Sequence, residues 1–210
     1  MATRQIGIID YGMGNIKSVY NALHYFGEDA KIVFSEKDFK DCSHLILPGV
    51  GAFPQAMRNL SERDMIRPIK AHVDAGKPFL GICLGMQLLA DKGEEMEVVP
   101  GLGIVPGHVR RLDVKLHIPH VGWNNLIVKK EHPVFEGMKS GVDFYFVHSY
   151  YFHCADSSNL LATAEYEKEF SCAITNGRSA VAVQFHPEKS QANGLKILEN
   201  FCNWDGQSSC

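Results

Sequence analysis

Lys77-Pro78-Phe79-Leu80-Gly81-Ile82-Cys83-Leu84-Gly85-Met86-Gln87 is the stretch from which the rest of the chain can be read. A short apolar run, 78–82, has the length and composition of a buried strand, and a helical pattern over 84–90 starts directly behind it. The cysteine falls at the junction, with glycines two residues away on either side. This is the strand–nucleophile–helix elbow in the form G-x-C-x-G. A sharp turn there strains the backbone of the nucleophile and needs small neighbours so that the chain can pass closely. A helix start beside the sulfur favours the thiolate, and the N–H of Leu84 points to where a tetrahedral oxyanion would develop. The ordinary fate of a free cysteine is to be a buried structural thiol. Cys154 and Cys172 fit that fate better, having no glycine flanks, and Cys202 falls in the last helical segment.

Outward from the elbow, short β-branched runs alternate with amphipathic stretches. Residues 6–10 form one strand-like run, 30–34 a second and 45–47 a third. Between the first two, Ile16, Val19, Tyr20, Leu23 and Phe26 recur at helical spacing, predicting a helix over 15–26 that Gly27 stops. A helix beginning near Ala52 and another over 66–75, closed by Gly76, follow the third run. Alternation of this kind predicts an α/β fold with an open, mostly parallel central sheet and helices on both faces. The second half is richer in strands, at 108–112, 126–130, 144–148, 160–164, 171–175 and 180–185, so additional antiparallel strands are expected there. A last helix over 192–203 leaves a short polar end, 205–210, expected to fray. No repeat, linker or low-complexity run divides the 210 residues, which suit one domain, 1–210, with a single large core.

The last strand runs into His186-Pro187-Glu188. Two residues apart in an extended segment, imidazole and carboxylate project to one side, and Pro187 stiffens the link. A cysteine nucleophile needs such a base, and the base needs a carboxylate to fix its tautomer and stabilise the imidazolium. Alone, His-Pro-Glu is more often a surface turn. Both motifs, however, sit at the C-terminal ends of predicted strands, the edge along which open α/β sheets carry their sites. Cys83, His186 and Glu188 are therefore the candidate catalytic residues. Leu47-Pro48-Gly49-Val50-Gly51-Ala52-Phe53 also leads from a strand into a helix. Its glycines open backbone conformations that could turn an N–H toward a substrate oxygen, which makes Gly49, Val50 and Gly51, with Leu84, candidates for an oxyanion hole. Asp10-Tyr11-Gly12-Met13-Gly14-Asn15 lacks the third glycine of a dinucleotide fingerprint, because Lys17 stands there, and a Walker sequence is absent. That segment is expected to be a packed turn or a surface for a partner.

Composition narrows the class further. The chain is 45% hydrophobic and 21% charged with a net charge of −3, ordinary for a globular protein and too weak a bias for a nucleic-acid partner. The first residues, Met1 to Gln5, lead straight into a strand, and the apolar run there is too short for a signal core or a membrane span. A cytoplasmic protein is expected. Its six cysteines are scattered without a C-x-x-C pair, and its ten histidines form neither H-x-x-x-H nor H-E-x-x-H. Neither a disulfide framework, nor a metal, nor a cofactor is expected.

Taken together, G-I-C-L-G-M-Q and the downstream H-P-E resemble the class I, triad-type glutamine amidotransferases, which release ammonia from glutamine. Within that class, Asp10 to Asn15, Pro48 to Phe53, Pro119-His120-Val121-Gly122-Trp123-Asn124, Phe146-Val147-His148-Ser149-Tyr150-Tyr151 and Gln184 to Ser190 resemble the glutaminase subunits of imidazole glycerol phosphate synthase, over about 5–203. Many relatives carry S-P-G-P where this chain has L-P-G-V-G. The resemblance implies Cys83 as nucleophile, His186 as acid and base, and Glu188 as orienter. It implies that Gly51, Gln87, Ser149 and Tyr150 hold glutamine, with loop 49–51 supplying part of the oxyanion hole. It further implies that Asn15, Trp123, Tyr145 and Lys189 face a cyclase subunit with a (β/α)8 barrel fold in a heterodimer. The plainer alternatives are that Trp123 and Tyr145 are core aromatics and that Gln87 solvates the first turn of its helix. The motifs do not separate this subfamily from a paralogue feeding ammonia to a different synthase. A stand-alone cysteine hydrolase and a non-catalytic assembly subunit fit them less well.

Overall fold

The first half builds the alternating layers that the pattern predicts. In the computed structural model, which describes residues 4–139 and 141–207, β1 (Ile6–Ile9) is followed by α1 (Ile16–Tyr25), β2 (Ala30–Val33), β3 (His44–Gly49), α2 (Phe53–Glu62), α3 (Ile66–Asp74), β4 (Phe79–Cys83) and the single turn α4 (Leu84–Gln87). The second half adds β5 (Lys92–Gly93), β6 (Val99–Pro100), β7 (Gly107–Arg111), β8 (His120–Asn125), β9 (Ile127–Val128) and β10 (Asp143–His148). Then come β11 (Tyr150–Cys154), β12 (Leu160–Tyr166), β13 (Lys168–Thr175), β14 (Ala180–Val183) and α5 (Gln191–Asn203).

Eight strands form one sheet in the order β2-β1-β3-β4-β14-β13-β12-β9. From β2 to β14 the neighbours run parallel, and β13, β12 and β9 are antiparallel additions. Every residue of β1, β4 and β14 is buried, as a parallel sheet covered on both faces requires. The two-residue period of a strand sorts their side chains. Leu80, Ile82, Val181 and Val183 join the core under α1 and α5, with Val19, Leu23, Ile197 and Phe201. Phe79, Ala180 and Ala182 join the opposite core under α2 and α3, with Phe53, Leu60, Ile69 and Val73. In α1 the buried positions Val19, Ala22 and Leu23 repeat at helical spacing, which is why it can lie flat on the sheet.

Four expectations need correction. The helix expected over 84–90 ends at Gln87, because the carbonyls beyond it are taken from outside. Leu102 N–H donates to Leu88 O, Ile104 N–H to Leu89 O and Gly103 N–H to Ala90 O, at 2.8–2.9 Å. The strand expected over 126–130 shrinks to β9, and the long strand of that region is β8, whose glycine, asparagines and histidine mask its alternation. Strands β5, β6 and β11 were not anticipated; β11-β7-β5-β6 is a separate small sheet, and β10-β8 a two-stranded ribbon. The end expected to fray is held at 205–207: Trp204 Nε1 donates to Gln207 O at 2.6 Å and Gly206 is buried. The rest of that tail, and the start of the chain at 1–3, lie outside the described residues.

Burial also sets an acid limit on this fold. It pushes His72 and His132 down to about 4 and His148 down to about 3, so all three are uncharged in the fold at neutral pH. In the unfolded chain they take up protons once the pH falls below ~6.5. Their contribution is complete above that pH and is lost as the pH falls toward their folded values, at on the order of 1 kcal/mol per pH unit for each. Denaturant midpoints are expected to decline steadily below ~6.5. A flat profile down to about pH 5 would show instead that these rings titrate normally in the fold.

Candidate active site

Cys83 ends β4 and opens α4 with φ 54° and ψ −110°, a region strained for any residue with a side chain. Its flanking glycines make the turn feasible. A Cβ on Gly85 would lie 1.8 Å from the Leu47 carbonyl oxygen, and one on Gly81 would lie 2.7 Å from the Gly85 oxygen. The elbow is thus pressed into the end of β3, and the pairing of Gly49 with Cys83 brings loop 49–51 beside the sulfur. Gly51 has φ +99°, open to glycine but not to most side chains. Because α4 lasts one turn, positive charge near the sulfur comes from individual N–H groups rather than from a long helix dipole.

Strand β14 pairs in parallel with β4, Val183 against Ile82, and so delivers His186 to the same sheet edge. Beyond it the chain is not extended, as the spacing had led one to expect: Pro187–Lys189 is a 3-10 turn. The turn curls Glu188 back under the ring, with Oε1 2.8 Å from Nδ1 and the two side chains 1% and 2% exposed. Main-chain bonds pin this geometry. His186 N–H donates to Tyr145 O at 2.9 Å. Ser190 Oγ donates to His186 O at 2.6 Å and accepts the Tyr145 N–H at 2.9 Å.

A carboxylate on Nδ1 leaves Nε2 toward Cys83, where it makes no formed hydrogen bond. Burial works against protonating this ring, but the Cys83 thiolate and the Glu188 carboxylate outweigh it and push the ring's pKa up to about 10. The ring therefore carries a proton at neutral pH beside a thiolate. The hydroxyl of Tyr11, fully buried after β1 and without a partner, is pushed up by burial and then by the negative charge on Cys83.

A cavity of ≈ 360 Å³ opens on the sulfur, and Val50, Gly51, Cys83, Leu84, Gln87, Ser149, Tyr150 and His186 line it. Gly49 and Glu188 stand behind this wall, the one buried in β3 and the other beneath His186. Gln87 does not solvate its helix turn. It is buried, and its Nε2 donates to Tyr150 O at 2.9 Å and to Gln184 Oε1 at 3.1 Å. Of the four residues assigned to a partner surface, none lines the cavity. Trp123 is 49% exposed and stands edge-on to Tyr145, across the β8-β10 ribbon. Lys189 Nζ lies 5.9 Å from the centre of the Tyr145 ring, and Asn15 stands just before α1 without a capping side-chain hydrogen bond. The exposure of Trp123 removes the core-aromatic alternative for it.

Sequence reasoning assigned no role to Glu95, Val147, His148 or Gln184. Glu95 lines the cavity from the loop after β5, and its Oε2 accepts the N–H of Phe53 at the start of α2. Its position in an unassigned polar stretch gave no signal. His148 also lines the cavity, and its tautomer is fixed: Nδ1–H donates to Tyr150 O at 2.9 Å, so Nε2 accepts from His120 Nδ1 at 3.1 Å. Burial holds both rings below the usual histidine range, so His148 is a neutral part of the pocket wall with a neutral His120 behind it. Among the described residues no helix is long and apolar enough to cross a membrane.

Strand, elbow, imidazole–carboxylate pair and pocket meet at one sheet edge, and comparison with known proteins places the chain. The family model for class-I glutamine amidotransferases matches residues 7–204, and the chain belongs to that family. A crystal structure of a glutamine amidotransferase superposes with a TM-score of 0.75 at 20% identity, over 94% of this chain and 97% of that one, which speaks to the fold. Within the class, the chain falls among the HisH proteins. It is 52% identical to the imidazole glycerol phosphate synthase subunit HisH of Caldanaerobacter subterraneus subsp. tengcongensis, over 93% of this chain and 96% of the relative. It is 46% identical to the subunit of the same name from Bacillus cereus, over 93% of each.

Proposed function

We propose that this protein is the glutaminase subunit of an imidazole glycerol phosphate synthase, hydrolysing glutamine at Cys83 and passing ammonia to a separate cyclase subunit in histidine biosynthesis. The observation that carries the chemistry is the arrangement of Cys83, His186 and Glu188 at one sheet edge, with a buried carboxylate on Nδ1 and the cavity in front of the sulfur. The resemblance to HisH proteins over nearly the whole chain carries the pathway.

In this reading the Cys83 thiolate attacks the carboxamide carbon and the carbonyl electrons move onto oxygen. N–H groups of loop 49–51 and of Leu84 hold that oxyanion. His186 gives its Nε2 proton to the departing nitrogen, ammonia leaves, and a glutamyl thioester remains. The ring then takes a proton from water, hydroxide adds to the thioester carbon, and the thiolate is expelled with glutamate. Gln87, Ser149 and Tyr150 hold the substrate's glutamyl part, and Glu95 is the carboxylate at the wall for its α-ammonium group. Ammonia must stay unprotonated to act as a nucleophile, so it has to reach the partner by a passage closed to bulk water. Asn15, Trp123, Tyr145 and Lys189 are the surface we assign to a (β/α)8 barrel partner.

Loop 49–51 is where coupling acts. Val50 is exposed and Gly51 is free to change conformation. One oxyanion donor is typically worth ~3 kcal/mol, about 10² in rate. Glutamate release is therefore expected to rise on the order of 10² when the cyclase and its nucleotide substrate are added to the purified chain. A cyclase that neither binds nor activates would refute the pathway, and the chain should then be tested with other ammonia-using synthases.

A further inference from the structure

Gln184 lies fully buried between β14 and His186, and the triad gives it no task. Its main chain is fixed by the sheet, with its N–H donating to Cys172 O at 2.9 Å. Its side chain bridges two polar groups: Oε1 accepts from Gln87 Nε2 at 3.1 Å, and Nε2 lies 3.6 Å from Cys83 Sγ. A primary amide can be turned end for end, but here its direction is dictated from outside. The Tyr150 carbonyl can only accept, so the Gln87 group 2.9 Å from it is the NH2. That same NH2 faces Gln184, which must answer with its oxygen. The NH2 of Gln184 is left for the sulfur.

We propose that Gln184 is a further member of the catalytic machinery, its side-chain N–H donating to the Cys83 thiolate, and that Gln87 is a positioning residue that holds it in the donating orientation. The proposal rests on Cys83 being the nucleophile. Sγ also lies 3.9 Å from the Val147 carbonyl oxygen, which can accept from a thiol but offers nothing to a thiolate. Titratable groups face the sulfur or its pocket from several elements: Tyr11 after β1 (with Asp10 next to it), Glu95 after β5, His148 at the end of β10, and His186 with Glu188 after β14. Of these only protonated His186 is a cation, and it must give up its proton to the leaving nitrogen. Gln184 keeps its N–H throughout. When the thioester is hydrolysed, the sulfur departs with both electrons of the C–S bond, and a donor already aimed at it stabilises that departure.

Alkylation of Cys83 by iodoacetamide, followed against pH in the complete chain with Cys83→Ala as blank, tests this. Gln184→Met keeps length and volume but removes the donor. Because a hydrogen bond to a charged group is worth more than one between neutral groups, the ionisation midpoint of the thiol is expected to rise by about one to two pH units. Alkylation at pH values below the parent's midpoint should fall about tenfold or more. Gln87→Met frees Gln184 to turn, and should shift the midpoint the same way by less; it carries the test if Gln184→Met does not fold. An unchanged midpoint overturns the proposal even if turnover drops, since the two glutamines then only pack. If the intact chain shows no alkylation that Cys83→Ala removes, the nucleophile assignment fails and takes this proposal with it.

Discussion

Cys83→Ala is expected to abolish glutamine hydrolysis, by a factor on the order of 10⁶, because removing the nucleophile of a triad costs about as much as removing the whole set. The complex assembled with its cyclase should lose glutamine-dependent synthesis and keep synthesis from added ammonium salts, since the substitution touches neither the partner's chemistry nor the exposed Trp123 face. Ala is small enough to keep the tight turn at φ 54°, so the variant should fold as the parent does. Glutamate release and ammonia-dependent product are the two measurements. Residual hydrolysis well above the buffer rate would mean that another group attacks the amide. Loss of ammonia-dependent synthesis as well would mean that the substitution damaged the assembly.

Gly85→Ala is expected to be the most damaging single methyl group in the fold. Its Cβ would sit 1.8 Å from the Leu47 carbonyl oxygen and 2.9 Å from the carbonyl carbon. Both are backbone atoms of β3, which is paired on one side to β1 and on the other to β4. A flexible side chain could swing aside; a strand held from both edges cannot. Overpacking of this severity exceeds the usual 1–3 kcal/mol range, so a loss of at least about 3 kcal/mol is expected, lowering the melting temperature of a chain this size by roughly 6–12 °C. Thermal unfolding monitored by circular dichroism reads it directly. A melting temperature equal to that of the parent would show that α4 can lift off β3, and the elbow would then be looser than its contacts imply.

How far the sequence could be read depended on whether one segment carried its own signal. The elbow did: glycines at 81 and 85 around an apolar-to-helical switch are a local pattern with few other meanings, and strand, turn and strained Cys83 all stand where that pattern put them. The parallel half followed from alternation alone. The extent of α4 was not legible, because it is ended by carbonyl partners at 102–104 that no local window contains. Strand β8 was hidden by its own composition, His-Val-Gly-Trp-Asn-Asn, which reads as a loop until Tyr145 and Phe146 are placed across from it. The pairing of His186 with Glu188 was anticipated for an incorrect reason, extended backbone instead of a 3-10 turn. Glu95 and Gln184 escaped because their importance is purely spatial: one is brought to the pocket wall by a loop, the other to the sulfur by the order of strands.

That order of strands has a consequence in time. Strand β14 is inserted between β4 and β13, yet it is made after both of them. A nascent chain that has reached residue 175 already holds Cys83 and most of the pocket wall, but β4 has an open hydrogen-bonding edge where β14 will lie, and His186 does not yet exist. The proposed triad is thus incomplete until residues 186–188 are made. During the same interval the unpaired flank of β4, apolar throughout, is the place where two incomplete chains would join. The segment that completes the chemistry is also the one that closes the molecule to its own copies.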